Sequence, residues 1–321
     1  MLDELLYRLK LNNNIDKSVI PLIEKAFIDS YNNGNPLTDG IINNLIKLID
    51  ENPNFKIEIS NDDNYTRLDK KICLSKKTLL NNDIYTVIHE ITHAIHDLMM
   101  YRDEPPLFEN ILEDIVNDST FISRVVEFMR LTIDAKKKAI MSSVINGQIE
   151  NGVSKIENNI IKNLKNKDSN ITKDIINYDN LSSNNGLNIE FKELYHHNVT
   201  LNQQIEDLTD NYNIKEGTRL NGYSAIEDMI DAVLLGKLYD GDIHLDGISI
   251  NGGFGHGNNY YSSNNYKKFS EIFAEYMELM ISPDREYYLQ LVNHIFGNKF
   301  IQAIEQISYY TFGTSDTKKK H

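Results

Sequence analysis

The feature that most constrains this chain is the five-residue run from His89 to His93, which is His-Glu-Ile-Thr-His. Residues four apart on an α-helix share one face, so both imidazoles can reach a single point beside the helix. No proline or glycine interrupts the run, and apolar residues flank it: Val87, Ile88, Ile91, Ala94, Ile95 and Leu98. The pattern predicts a helix over about 80–100 that presents two histidines together.

Two histidines at this spacing are typical of a zinc-binding helix. The alternative is a buried helix whose histidines hydrogen-bond only to backbone. We expect His89 and His93 to bind Zn²⁺ as the cofactor, with Glu90 as the general base that activates a metal-bound water. His96 lies three residues after His93 and is expected to flank the site, because a fourth protein ligand would close it.

A catalytic zinc needs a third protein ligand, and the segment from Phe269 to Leu279 is the best candidate. Its glutamates Glu271, Glu275 and Glu278 are spaced i, i+4 and i+7, which places them in one stripe on a helix. We assign Glu271 as the third ligand and Glu275 as an outer acceptor for a ligand His N–H. Asp97 is a further candidate for orienting a ligand imidazole.

Two alternatives to this assignment stay open at the level of sequence. The acidic stripe could be an ordinary solvated helix face. Glu109 and Glu113 lie 16 and 20 residues after His93 on another predicted helix, and Glu113 is the competing third ligand.

The motif at 89–93 and the run Phe-x-Glu-x-Phe-Ala-Glu at 269–275 together resemble the gluzincin zinc metallopeptidases of the anthrax lethal factor and Pro-Pro endopeptidase group. The resemblance implies a zincin-like catalytic core in which Glu271 binds zinc and Glu275 supports it. It also implies a catalytic tyrosine seven residues before the third ligand. This chain has Asn264 there, so the role passes to one of the nearby tyrosines Tyr260, Tyr261 and Tyr266.

A looser resemblance concerns the segment from Gly255 to Tyr261, which precedes the second motif. A Gly-His-x-x-x-Tyr segment before such a helix is similar to the metallopeptidase-like C-terminal region of some phage minor head proteins. The resemblance implies phage or prophage origin, and it places His256 near the site as a further candidate catalytic residue.

Composition narrows the possible partners and compartment. The net charge of −14 repels nucleic acid, and no apolar run is long enough for a membrane span. The single cysteine, Cys73, excludes an intramolecular disulfide, and the acidic start of the chain is unlike a signal peptide. We expect synthesis in a reducing cytoplasm. A delivered effector or a virion-associated protein would have the same composition.

The pattern of elements predicts an α+β, mainly helical fold with a small sheet. Strands are expected at about 55–59 and 71–75, directly before the histidine helix, where an edge strand would line a substrate groove. Residues 1–50 predict two helices that are separated near 33–36, and a third helix is predicted over 224–235. We divide the chain into 1–103 with the histidine motif, 104–215 as a helical insertion, and 216–321 with the third ligand.

These observations predict a zinc-dependent endopeptidase that acts on a peptide or protein substrate, without nucleic acid or membrane partners. The alternative is a phage-associated structural or interaction protein that keeps the fold with little or no activity. Its partner would be a phage particle or a host target protein.

Overall fold

The computed structural model describes residues 1–99, 106–145, 218–239 and 265–312, together with Leu194, His197 and Leu201. Over these residues the protein is mainly helical, with one small three-stranded sheet, as the sequence predicts. Within the described ranges, no helix combines the length and the apolarity needed to cross a bilayer.

Helices precede and follow the strands along the chain. The N-terminal helices are α1 (Leu2–Leu11), α2 (Ile20–Asn32) and α3 (Thr38–Glu51), and the strands are β1 (Lys56–Ser60), β2 (Asn64–Thr66) and β3 (Lys71–Ser75). The remaining helices are α4 (Lys76–Asn81), α5 (Ile84–Met99), α6 (Pro106–Asn117), α7 (Phe121–Ile145), α8 (Thr218–Tyr239), α9 (Asn265–Ile281), α10 (Arg285–Phe296) and α11 (Asn298–Phe312).

The N-terminal region forms three helices, so the prediction of two was wrong. The break near 33–36 is present, but a second break separates α1 from α2. Its cause is local, because the Asn12 side chain accepts a hydrogen bond from the backbone N–H of Asn14. The chain then pairs with β1, where Asp16 N donates to Ile57 O and Ile57 N donates to Asn14 O.

The sheet has the strand order β1-β3-β2. β1 and β3 pair in parallel, with Ile57 opposite Ile72, whereas β2 runs antiparallel to β3. The sequence predicted β1 and β3 but not β2, because its three residues are too short for a clear alternating pattern. β2 forms one edge of the sheet and lies against α5.

The histidine helix α5 begins just after Asp83. The Asp83 carboxylate accepts hydrogen bonds from the backbone N–H groups of Tyr85 and Thr86, so it caps the first turn. α5 packs against α2, α3, the sheet and α9, and α9 in turn packs against α8 and α10. The two motif-bearing helices therefore lie beside each other near the centre of the described core.

One helical prediction needs correction. Within the predicted insertion, α6 and α7 are separated by a turn at Asp118, whose carboxylate accepts from the Thr120 N–H just before α7. The helix predicted from Ser224 to a stop at Gly236 is α8, which begins at Thr218 and continues to Tyr239. Gly222 lies inside this helix, and its lack of a side chain is needed there because a Cβ would lie 2.4 Å from the Tyr288 ring.

The described part of the predicted insertion, residues 106–145, packs closely on the C-terminal helices. α6 contacts α8 and α11, α7 contacts α8 and α10, and their buried apolar residues belong to the same core cluster as those of α5 and α9. At the contact between α7 and α8, Lys136 and Glu227 form a buried ion pair with N–O distances of 2.6 and 2.7 Å. The three-part division of the chain stays a prediction.

Candidate metal centre

Helix α5 brings the two motif histidines together. His89 and His93 are one turn apart, and their Nε2 atoms are separated by 2.9 Å. The rings lie edge to face, with an interplanar angle of 77°. His89 is 8% exposed, so this side of α5 faces the interior and not the solvent.

Helix α9 places Glu271 opposite this pair. Glu271 Oε1 lies 3.4 Å from His89 Nε2, and Glu271 Oε2 lies 3.4 Å from His93 Nε2. The carboxylate is only 1% exposed. Residues that are 178 positions apart in the sequence therefore face one small volume between two packed helices.

The spacing of these atoms fits a tetrahedral metal ion. Two ligand atoms at 2.0–2.1 Å from such an ion lie about 3.3 Å from each other. The observed separations of 2.9, 3.4 and 3.4 Å are close to this value. The donor set, two imidazole nitrogens and one carboxylate oxygen, is also one that zinc accepts.

The Nδ1 atoms of the two histidines give a second reason to expect a metal ion at this site. His89 Nδ1 faces Glu278, and His93 Nδ1 faces Ser270, so each Nδ1 is placed to carry the ring proton. The Nε2 lone pairs then point at each other and at the Glu271 carboxylate. Electron pairs held this close repel unless a proton or a metal cation lies between them.

The rival third ligand, Glu113, is exposed on α6. Among the described side chains, the two groups with metal-binding spacing are His89–His93–Glu271 and His89–Glu275–Glu278, and neither contains Glu113. Glu109 lies in the first turn of α6. The geometry therefore favours Glu271.

The acidic stripe on α9 is buried, in contrast to the solvated-face alternative. Glu275 is 3% exposed, and burial, with Glu278 second, raises its pKa well above the ordinary value. Burial lowers the pKa of His89, but the carboxylates of Glu275, Glu271 and Glu278 outweigh it, and the net shift is upward. Burial therefore favours the neutral form of Glu275, and a cation beside the stripe would favour the charged form instead.

On the Nδ1 side of His89, Glu278 lies closer to the ring than Glu275 does. Glu278 Oε1 is 2.8 Å from His89 Nδ1, whereas Glu275 Oε1 is 3.4 Å away. A His that binds metal through Nε2 keeps its proton on Nδ1, and these carboxylates are the groups close enough to receive it. The same proton argues against a second ion in the group formed by His89, Glu275 and Glu278.

Two further residues lie next to the centre: Ser270, which was not identified from the sequence, and His96, which was predicted to flank the site. Ser270 Oγ lies 2.9 Å from His93 Nδ1 and 3.3 Å from His96 Nδ1. Its position directly before Glu271 was the only signal in the sequence. His96 is fully buried, and burial, together with His93, lowers its pKa to about 3.

Asp97 was predicted to orient a ligand imidazole, and the structure places it at the sheet. It accepts a hydrogen bond of 3.1 Å from the Tyr65 hydroxyl and pairs with Arg67 Nε at 2.8 Å. Both partners lie in or just after β2. These contacts fix the edge strand against α5.

Glu90 is 6% exposed and follows His89 on α5. The other predicted catalytic residues, Tyr260, Tyr261 and His256, lie outside the described residues, and Tyr266 lies in the first turn of α9. His197 is only 6% exposed. It lies in helical conformation between buried Leu194 and Leu201, three and four residues away, and this spacing directs it inward.

Comparison with known protein families, with curated proteins and with solved structures finds no match to this chain. The resemblance to gluzincins therefore depends on the two motifs and stays a prediction.

Proposed function

We propose that this protein is a zinc-dependent endopeptidase with a zincin-like catalytic core. The observation that carries the proposal is the approach of His89, His93 and Glu271 to within metal-binding distance of one another. Three protein ligands leave a fourth position open, as a catalytic site requires. When bound there, Zn²⁺ would polarise the scissile carbonyl and lower the pKa of a coordinated water to about 7.

Glu90 is the proposed general base. It precedes His93 by three residues, so the two side chains are neighbours on one side of α5. From there a carboxylate can take a proton from the attacking water and pass it to the leaving amine when the peptide bond breaks. Tyr260, Tyr261 or His256 would donate a hydrogen bond to the developing oxyanion.

The position of β2 suggests how a substrate would be held. β2 is an edge strand, and the Tyr65 and Arg67 contacts with Asp97 attach this part of the chain to the motif helix. An extended peptide can add to such an edge through main-chain hydrogen bonds. The other edge, β1, is already bridged to Ile15.

The test combines metal analysis with cleavage of a peptide library. We expect about one zinc per chain, cleavage by the purified protein, and loss of cleavage after chelation. Glu90→Gln should retain zinc and lose nearly all turnover, because the removal of a general acid–base group costs about 10²–10⁴-fold in rate. Cleavage by Glu90→Gln at the parental rate would falsify the mechanism.

The same assay tests the ligand assignment with a matched pair of variants. Glu271→Ala should release zinc, whereas Glu113→Ala, on the exposed face of α6, should keep it. The opposite result would transfer the ligand role to Glu113. Bound zinc with no cleavage in any library would favour a structural protein over a peptidase.

A further inference from the structure

Ser270 lies between two histidines of the motif helix, although it belongs to α9. Its Oγ is 2.9 Å from His93 Nδ1 and 3.3 Å from His96 Nδ1. Ser270 is 8% exposed and His96 is fully buried, so bulk water does not compete strongly for these contacts. The three side chains form a short hydrogen-bonded chain that connects α5 with α9.

The chemistry of the three groups fixes which of them donates and which accepts in each of these hydrogen bonds. If His93 binds metal through Nε2, its only ring proton is on Nδ1, and Nδ1 donates to Ser270 Oγ. A hydroxyl has one proton, so Ser270 can then donate to His96 Nδ1. His96 must accept, which requires a neutral ring with its proton on Nε2. The low pKa of His96, caused first by burial and then by His93, agrees with a neutral ring.

We propose that Ser270 and His96 are positioning residues for His93, with Ser270 fixing the orientation of the ligand ring and His96 fixing the Ser270 hydroxyl. The inference depends on the proposed metal site, because it assumes that His93 binds through Nε2. It also assigns different outer partners to the two ligands. His89 meets the carboxylate of Glu278, whereas His93 meets a neutral hydroxyl.

The local charge explains why a neutral partner suits His93. Glu271, Glu275 and Glu278 already bring three carboxylates to this face of α9, and Glu275 also experiences the charge of Asp228 from α8. A further buried carboxylate would add repulsion and desolvation cost. A serine orients the imidazole without adding charge.

A purely structural role for His96 is the competing explanation, because its ring also packs against Phe269 and Phe273, with centroids 5.1 and 5.5 Å away. Zinc affinity separates the two explanations. Ser270→Ala should weaken zinc binding by about 10–100-fold, which is typical of the loss of an outer partner. His96→Phe, which keeps an aromatic ring but removes the acceptor, should weaken it in the same direction by less.

Matched variants control for general effects on folding. Ser308→Ala removes another buried helical serine, whose hydroxyl donates to Ile304 O on α11, and it should leave zinc affinity unchanged. His96→Asn offers an amide oxygen near the Nδ1 position and should retain most of the affinity. Equal zinc affinity for Ser270→Ala and the wild-type protein would overturn the inference.

A second readout needs no catalytic activity. Nitrogen-15 NMR of the histidine rings in the zinc-loaded protein should find His96 neutral, with its proton on Nε2, at pH 5.5, where a free histidine is largely protonated. A proton on Nδ1 of His96 would overturn the proposed direction of the hydrogen bonds. If the wild-type protein failed to bind zinc, the proposed function would fail, whereas zinc binding with the proton on Nδ1 of His96 would overturn only this inference.

Discussion

Two carboxylates face the outer nitrogen of His89, and their distances predict unequal roles. The sequence resemblance assigns the supporting role to Glu275, but Glu278 is closer to Nδ1, at 2.8 Å against 3.4 Å. We therefore expect Glu278→Gln to weaken zinc binding by about 10–100-fold and Glu275→Gln to weaken it less. Competition with a zinc-sensitive dye measures both constants. A larger loss in Glu275→Gln would restore the original assignment.

Asp231 is a buried acid on α8 that the proposed mechanism does not use. It is 3% exposed, and among the described residues its Oδ2 has no hydrogen-bond partner. Burial, and then the charge of Asp228, raise its pKa well above 3.8. The folded state therefore holds this proton more tightly than the unfolded state, and Asp231 lowers stability progressively as the pH rises above 3.8.

Asp231→Asn should remove this loss. We expect the variant to unfold at higher denaturant concentration than the wild-type protein at pH 7, by about 1–3 kcal/mol, with a difference that shrinks towards pH 4. Asp134→Asn, at an exposed position on α7, is the control and should have little effect. A variant that is less stable at pH 7 would show that Asp231 is charged and compensated in the folded protein.

At the level of elements, the approach of α3 to the end of α11 depends on Gly40. A Cβ there would lie 1.4 Å from the carbonyl oxygen of Phe312, which is backbone and cannot rotate away. Helix propensity alone predicts that Gly40→Ala stabilises α3 by about 1 kcal/mol. Overpacking costs about 1–3 kcal/mol, and here the helices must separate, so we expect a net loss of stability.

Chemical unfolding of Gly40→Ala tests this sign. Asn43→Ala changes an exposed residue on the same helix and should stabilise the protein slightly through propensity. If both variants gained stability, α3 and α11 would be less tightly packed than the structure indicates.

Elements with a strong local signal were predicted well. The histidine helix, α9 and the two longer strands were found because each carries a clear periodicity or a cap. β2 was missed because its three residues are too short for an alternating pattern. The break between α1 and α2 was missed because the turn at Asn12 is completed by pairing with Ile57, which is distant in sequence. Helix α8 was predicted too short because Ser224 and Gly236 resemble end signals but lie within a packed helix.

At the level of the whole molecule, the candidate centre joins parts of the chain that are far apart in sequence. Spacing within each motif predicted which residues of α5 and α9 could bind metal. It could not predict Ser270 or the closer approach of Glu278, because those depend on how the two helices pack. This tertiary arrangement, and not the motifs alone, sets the outer hydrogen bonds of the site.

A metal held between α5 and α9 should therefore stabilise the whole fold. A ligand that binds only the folded state adds about 2.7 kcal/mol at a free concentration of 100 times its Kd, which raises the melting temperature of a chain this long by about 4 °C. We expect zinc to produce such a rise in the chelator-treated wild-type protein and to have no effect on Glu271→Ala. Scanning calorimetry measures both, with Glu113→Ala as the matched control. Since His89, His93 and Glu271 connect residues 178 positions apart, a melting temperature that does not respond to zinc would mean that the two helices hold these side chains together for another reason.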